Sequence, residues 1–473
     1  MNVKLVKLLL LELLERIVLM ENFLDNAHCH AAEEADYEVI GSFRDFIKNI
    51  KGEIEASVCD MLTDDEREIH ENTLYFCFKK TLTLSHIVNI LHYHLYTVPS
   101  KDVVLSETHI FLNNFSRKID YGGYYAPVEP TFILWNSYNF RHLKLPDVII
   151  SDMYQSLLLK EIMSYRDTIR PTTIIALPKI EFKNSFRWCL LVHELGHAID
   201  TKFGISEKVS KEISASKEDM KILKEWTREV FADLFALKLL GPAYVASLAF
   251  FSSLERVLKP EESHPSPNTR ILILIKELKN ILKKTPEVVE DLINFWDMRC
   301  EYGRKYGLDS TENPDIKDFN FGNYESKMVP MVKSEIDRIC KQKFNKDNYK
   351  KATELCKLVA KGIPISSSRD YDDKKLMKDI DKFKEMNEDI KVILLPKFNE
   401  KPNDISEIMN AVWIHRSTIL EEFCSTFFEN NQKSFEEKYK TFRDELKNID
   451  KITLKSIGTA DINSLLMEKG EKE

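Results

Sequence analysis

What this 473-residue chain lacks narrows its reading first. Its eight cysteines, Cys29, Cys59, Cys77, Cys189, Cys300, Cys340, Cys356 and Cys424, contain no C-x-x-C pair and no spacing of a disulfide framework. Thiols scattered in this way are expected to stay reduced and mostly buried, which favours a cytoplasmic protein. No long run of one charge sign occurs, and 76 acidic against 68 basic side chains leave a net charge of −8. Nucleic acid is not an expected partner, because such binding needs a basic face. Long apolar runs are missing too. The longest uncharged run, between Lys238 and Glu255, is broken by Gly241, Pro242, Ser247, Ser252 and Ser253. The leucine-rich stretch Met1 to Met20 is interrupted by Lys4, Lys7, Glu12, Glu15 and Arg16, so it reads as an amphipathic helix rather than a signal peptide. A soluble protein with no membrane partner is expected. Neither an internal repeat nor a G-x-x-x-x-G-K-[ST] phosphate loop is found, which argues against an ATP-driven machine.

What is present centres on Trp188-Cys189-Leu190-Leu191-Val192-His193-Glu194-Leu195-Gly196-His197-Ala198-Ile199-Asp200, which contains H-E-x-x-H. Four residues make slightly more than one helical turn, so His193 and His197 project from one face and can reach one ion. Neutral imidazole suits zinc, and Glu194 stands beside the first histidine, where a carboxylate can take a proton from a water. Trp188, Leu191, Val192, Leu195 and Ile199 supply an apolar stripe, with Asn184 or Ser185 as the expected cap. Gly196 costs roughly 1 kcal/mol against alanine in mid-helix. That cost makes sense if another backbone or a substrate passes close by.

A catalytic zinc site takes three protein ligands and one open position. The third-histidine solution is excluded, because Asp200 and Phe203 occupy the positions it would need. Trp226-Thr227-Arg228-Glu229-Val230-Phe231-Ala232-Asp233 offers a second solution on a following helix that continues through Leu240. There Glu229 completes the ligand set and Asp233, one turn on, accepts the free N–H of a ligand histidine. Asp200 remains a competing third ligand, and Glu229 could instead pair with Arg228 or Lys224 on a wet face. His28-Cys29-His30 and His92-Tyr93-His94 are set aside as metal sites, since residues two apart leave a helix on different sides.

A third motif, His264-Pro265-Ser266-Pro267-Asn268-Thr269-Arg270-Ile271, follows in order. The succession H-E-x-x-H, E-x-x-A-D, H-P-x-x-x-x-R-I over residues 190 to 271 resembles the gluzincin metallopeptidases, most closely the CAAX prenyl endopeptidase and heat-shock metalloprotease group. The resemblance implies a zinc metallopeptidase in which His264 and Arg270 bind or polarise the substrate carbonyl. It departs from that group in having no transmembrane helices, so a prenylated membrane substrate is not carried over.

The fold implied is α+β and mostly helical. Its zincin-like core, a small mixed sheet with the H-E-x-x-H helix and the glutamate-bearing helix, is expected over residues 99–290. Helical regions are expected at 1–98 and 291–473, the latter regulatory or substrate-binding. Strand-like runs lie at Val103–Leu105, His109–Leu112, Thr131–Trp135 and Thr172–Leu177, with a turn at Gly122-Gly123 and a helix over 147–166. Such a sheet could offer an edge to an extended peptide. Breaks are expected near 313–330, 363–373 and 396–404, and Lys374 to Lys391 reads as a solvated helix face.

The expected function is zinc-dependent endopeptidase activity on a protein or peptide. Catalysis falls to Glu194, His264 and Arg270, metal binding to His193, His197 and Glu229, and orientation to Asp233. Two rivals stand: a non-catalytic zinc scaffold or sensor that binds a partner, and a latent protease released by a regulatory partner or small molecule.

Overall fold

A computed structural model describes residues 52, 106–122, 131–135, 141–144, 173–178, 184–253, 256–305, 319–365, 403–429 and 435–470. The expected region 1–98, the helix over 147–166, the solvated helix at 374–391 and both His-x-His segments lie outside the described residues, Gly52 excepted.

The described residues do not form the expected α+β arrangement with a sheet-walled zincin core; they are overwhelmingly helical. In order the helices are α1 (Ser106–Arg117), α2 (Cys189–Phe203), α3 (Ile205–Glu212), α4 (Lys217–Leu240), α5 (Pro242–Ser252), α6 (Pro267–Leu282), α7 (Glu287–Lys305), α8 (Gly322–Ile339), α9 (Lys346–Val359), α10 (Ile405–Glu429) and α11 (Phe435–Gly470). Among the described residues strands are confined to β1 (Thr131–Trp135), β2 (Arg141–Lys144) and β3 (Thr173–Pro178), with β3 central, parallel to β1 and antiparallel to β2. Among the described residues the core is made almost wholly by helices.

The run His109–Leu112, expected as a strand, is part of α1. Phe111, Leu112 and Phe115 are all fully buried there, and a spacing of three and four fits a helical face better than alternation. Likewise the expected break at 313–330 gives way at Gly322 to α8, which runs through Pro330.

The histidine helix α2 buries the apolar stripe its sequence suggests, Leu191, Val192, Leu195 and Ile199, each at most 1% exposed, with Trp188 equally buried just before it. Each such side chain contributes about 1.5–3 kcal/mol through burial. Its start is different. A 3-10 turn, Ser185–Trp188, precedes it, and Asn184 makes no side-chain cap. Instead Asp450 of α11 accepts from the Ser185 backbone N–H at 3.0 Å and from its hydroxyl at 2.5 Å.

Helix α5 is buried on every side, which explains the uncharged run between Lys238 and Glu255 as a core helix. The tight joint between α4 and α5 turns on Gly241, at φ 68°, a conformation that favours glycine. Asn410 of α10 closes that joint by donating to the Leu240 carbonyl at 2.6 Å and accepting from the Ala243 N–H at 3.0 Å. Lys118, just after α1, pairs with Asp404 at the start of α10. The helices after residue 291 thus share one core with those before it. No described helix is long and apolar enough to cross a membrane.

Candidate metal centre

Helices α2 and α4 meet at one point of unusually close approach. A Cβ placed on Gly196 would lie 2.8 Å from Ala232 Cα and 3.1 Å from Ala232 Cβ. Gly196 stands between His193 and His197, and Ala232 between Glu229 and Asp233. The contact therefore draws two i,i+4 pairs together face to face, which accounts for a glycine in mid-helix and a small residue opposite it. Gly196→Ala is expected to be destabilising by up to about 2 kcal/mol, because overpacking of roughly 1–3 kcal/mol is set against the roughly 1 kcal/mol gained in helix propensity. Thermal unfolding with and without added zinc checks this, and the metal-dependent part of the stabilisation should shrink as well.

His193, His197 and Glu229 form a buried group that could hold a metal ion, their ligand atoms all within 4.8 Å of one another. His193 Nε2 lies 3.5 Å from Glu229 Oε2, and His197 Nε2 lies 3.2 Å from Glu229 Oε1. Glu229 Oε2 and His197 Nδ1 are buried with no hydrogen-bond partner among the described residues. An ion on this carboxylate would satisfy the first of these. The wet-face alternative for Glu229 fails, because Arg228 pairs with Glu225 and Lys224 with Glu207.

Asp233 sits behind His193. Its Oδ1 accepts from His193 Nδ1 at 2.9 Å, which orients the ring with Nε2 toward Glu229, and Arg270 Nη2 lies 3.5 Å from that Nε2. Arg270 of α6 grips the same carboxylate bidentately, Nε to Oδ2 and Nη2 to Oδ1 both at 2.7 Å, with Nη1 3.4 Å from Glu229 Oε2. The expected pairing of Asp233 with a ligand histidine is therefore present, and Arg270 is held against carboxylates rather than standing free.

His264 occupies the open side: its Nε2 is 3.4 Å from Glu229 Oε1 and its side chain is 49% exposed. Ser263 Oγ lies 2.7 Å from its Nδ1. Glu194 is 7% exposed and lies outside the ligand group. Asp200 is also outside it, engaged instead in accepting from the Ser206 N–H and hydroxyl at the start of α3.

Sequence reasoning missed Tyr244. Its hydroxyl donates to Asp233 Oδ1 at 2.5 Å and lies 3.2 Å from His193 Nδ1. A signal existed, since a tyrosine in a uniformly apolar helix must find a partner for its hydroxyl. Tyr244→Phe is expected to cost about 1.5–3 kcal/mol, the range for hydrogen bonds to charged groups. Denaturant unfolding measures it, and zinc titration should show weaker binding through a less constrained His193.

Burial raises the carboxyl pKa of Glu229 and of Asp233, but this is outweighed. His197 and Arg270 hold Glu229 well below the usual carboxylate range, and Arg270 does the same for Asp233. For His193, burial opposes protonation, yet the neighbouring carboxylates of Asp233 and Glu229 prevail and push its pKa up to about 9. A metal must displace that proton, so zinc affinity should rise up to about tenfold per pH unit between pH 7 and 9. The folded pKa lies above the unfolded value of about 6.5. The ion-free protein therefore has its full His193 stabilisation below about pH 6.5 and loses it as pH rises through about 9. Titration calorimetry in buffers of differing ionisation enthalpy reads the released proton.

Compared with protein-family models, with curated proteins and with solved structures, the chain matches none.

Proposed function

We propose that the chain is a zinc-dependent endopeptidase whose centre is of the gluzincin kind, although its surroundings are helical. The observation that carries this reading is the Glu229 carboxylate, 3.5 and 3.2 Å from the two Nε2 atoms. The two contacts run to different oxygens, Oε2 and Oε1; the first falls within, and the second just under, the roughly 3.3–3.6 Å that separates two ligands about 2.0–2.2 Å from a tetrahedral zinc. Two imidazoles and one carboxylate also match a catalytic zinc set and suit a hard oxygen-only cation poorly.

When bound, zinc supplies Lewis acidity that polarises a peptide carbonyl and makes a water acidic near neutral pH. Glu194, beside His193 but outside the ligand group, takes the proton of the attacking water and returns it to the leaving amine. The carbonyl carbon gains the water oxygen as the C–N bond breaks. His264 on the open side donates to the developing oxyanion, a service typically worth about 3 kcal/mol. Asp233, gripped by Arg270 and Tyr244, keeps His193 in the tautomer that binds metal.

One observation favours the rival of a non-catalytic zinc scaffold. His264 Nε2 is close enough to Glu229 to be a fourth ligand after a small movement. Against it, a structural site has no use for a base at 194, and His264 does not fall within the ligand group. The test is cleavage of a peptide library by purified protein, abolished by a chelator and restored by zinc. Zinc binding without any cleavage, with His264 on the ion, would favour the scaffold.

A further inference from the structure

One stretch of the chain is charged opposite to the whole. From Lys341 to Lys361 seven lysines stand against Asp347 and Glu354, a local net charge of +5 in a chain of net charge −8. Helix α9 sorts these charges by face. Ala352, Leu355, Leu358 and Val359 are buried, while Lys346, Lys350 and Lys357 are exposed on the opposite side, within about 40° of one another around the axis. Lys361 is exposed in the turn just past the helix. Off this face, Lys351 pairs with Glu407 at 2.8 Å, but none of the four lysines in the row pairs with a carboxylate among the described residues.

Helix α11 repeats the arrangement. Phe442, Leu446 and Ile449 are buried, and Lys447, Lys451 and Lys455 are exposed at successive turns, again unpaired among the described residues. Helix α10 packs against both α9 and α11. The two lysine rows approach each other at one end. There the N–H of Ile365, four residues past Lys361, donates at 2.9 Å to Ser456 Oγ, next to Lys455. Like charges four apart repel along a helix and lower its stability, so this spacing works against the fold. An anionic ligand would offset that repulsion.

We propose that the lysine face of α9, continued on α11, docks an acidic segment of a partner protein, an extended stretch rich in aspartate and glutamate. The row from Lys346 to Lys361 is about 22 Å long, which about seven extended residues span. The proposal is independent of the peptidase reading. Nucleic acid and a bilayer are poorer matches. Among the described residues neither helix exposes a large apolar or aromatic side chain that could stack on a base or enter a membrane. Glu354 and Asp444, exposed beside the two rows, would repel a continuous array of phosphates, whereas each can pair with a basic residue of a mixed peptide.

The test measures fluorescence anisotropy of a labelled oligo-glutamate peptide, with an oligo-lysine peptide, single-stranded DNA of equal charge and phosphatidylserine vesicles in parallel. Wild type is compared with Lys346→Glu/Lys350→Glu/Lys357→Glu and Lys447→Glu/Lys451→Glu/Lys455→Glu. Lys276→Glu/Lys279→Glu/Lys284→Glu makes the same change in net charge at exposed positions elsewhere. All of these positions are exposed, and circular dichroism checks that each variant is folded. Wild type should bind oligo-glutamate but not oligo-lysine, more weakly as salt rises. The α9 variant should lose at least about tenfold in affinity, the α11 variant should also weaken, and the control should match wild type. No binding of oligo-glutamate overturns the proposal. So does an equal loss in the control, which would mean that net charge alone is read. Tighter binding of DNA or of vesicles, lost in the α9 variant, also overturns it and assigns the face to that class instead.

Discussion

Replacing Glu194 with glutamine is expected to leave zinc binding intact and to lower peptide hydrolysis by about 10²–10⁴-fold, the usual contribution of a positioned general base. Glutamine matches glutamate in size and shape, so a side chain only 7% exposed on α2 can be exchanged without opening a void. The change removes the one property the mechanism needs, an acceptor able to carry a proton. Because Glu194 is not in the ligand group, the ion should stay in place. His193→Ala is expected to behave differently, losing metal and activity together. Zinc content by metal analysis, alongside kcat/KM on one cleaved peptide, separates the two. Full activity in Glu194→Gln would refute the assigned base.

Asp233→Ala should be the most damaging single change to the fold of this region. The carboxylate takes hydrogen bonds from His193, Tyr244 and Arg270, all of them buried or nearly so. Removing it leaves the Arg270 guanidinium, among the described residues, with Glu229 at 3.4 Å as its counter-charge. Breaking a buried pair by deleting one partner costs about 3–5 kcal/mol. His193 also loses the acceptor that sets its tautomer, a change typically worth about 10–100-fold in metal affinity. Denaturant unfolding should therefore show several kcal/mol lost, and competition with a chromophoric chelator should show weaker zinc binding. Loss of stability with unchanged zinc affinity would mean that Asp233 holds Arg270 but does not govern the histidine.

The centre was more legible in the sequence than the fold around it. His193 and His197, and Glu229 and Asp233, are each four apart on a helix, so local geometry alone puts each pair on one face. The demand of zinc for a third ligand then pointed from one helix to the other. Even the tight crossing left a mark, in Gly196 and Ala232. What was hidden depends on contacts between distant segments. Asp450, which anchors Ser185, and Asn410, which closes the joint at Leu240, are ordinary polar residues until the chain folds. Tyr244 looked like part of an apolar run because its one polar atom meets Asp233 only through packing. The α+β expectation failed for a related reason. Short β-branched and aromatic runs such as His109–Leu112 fit a strand or a buried helix equally well, and tertiary context made that run part of a helix.

Anomalous scattering at the zinc edge on crystals of the zinc-loaded protein tests the centre most directly. A single strong peak is expected about 2.0–2.2 Å from His193 Nε2, His197 Nε2 and a Glu229 carboxylate oxygen, with one position left to solvent. A peak elsewhere, or a Glu229 carboxylate turned away from the two imidazoles, would contradict the account.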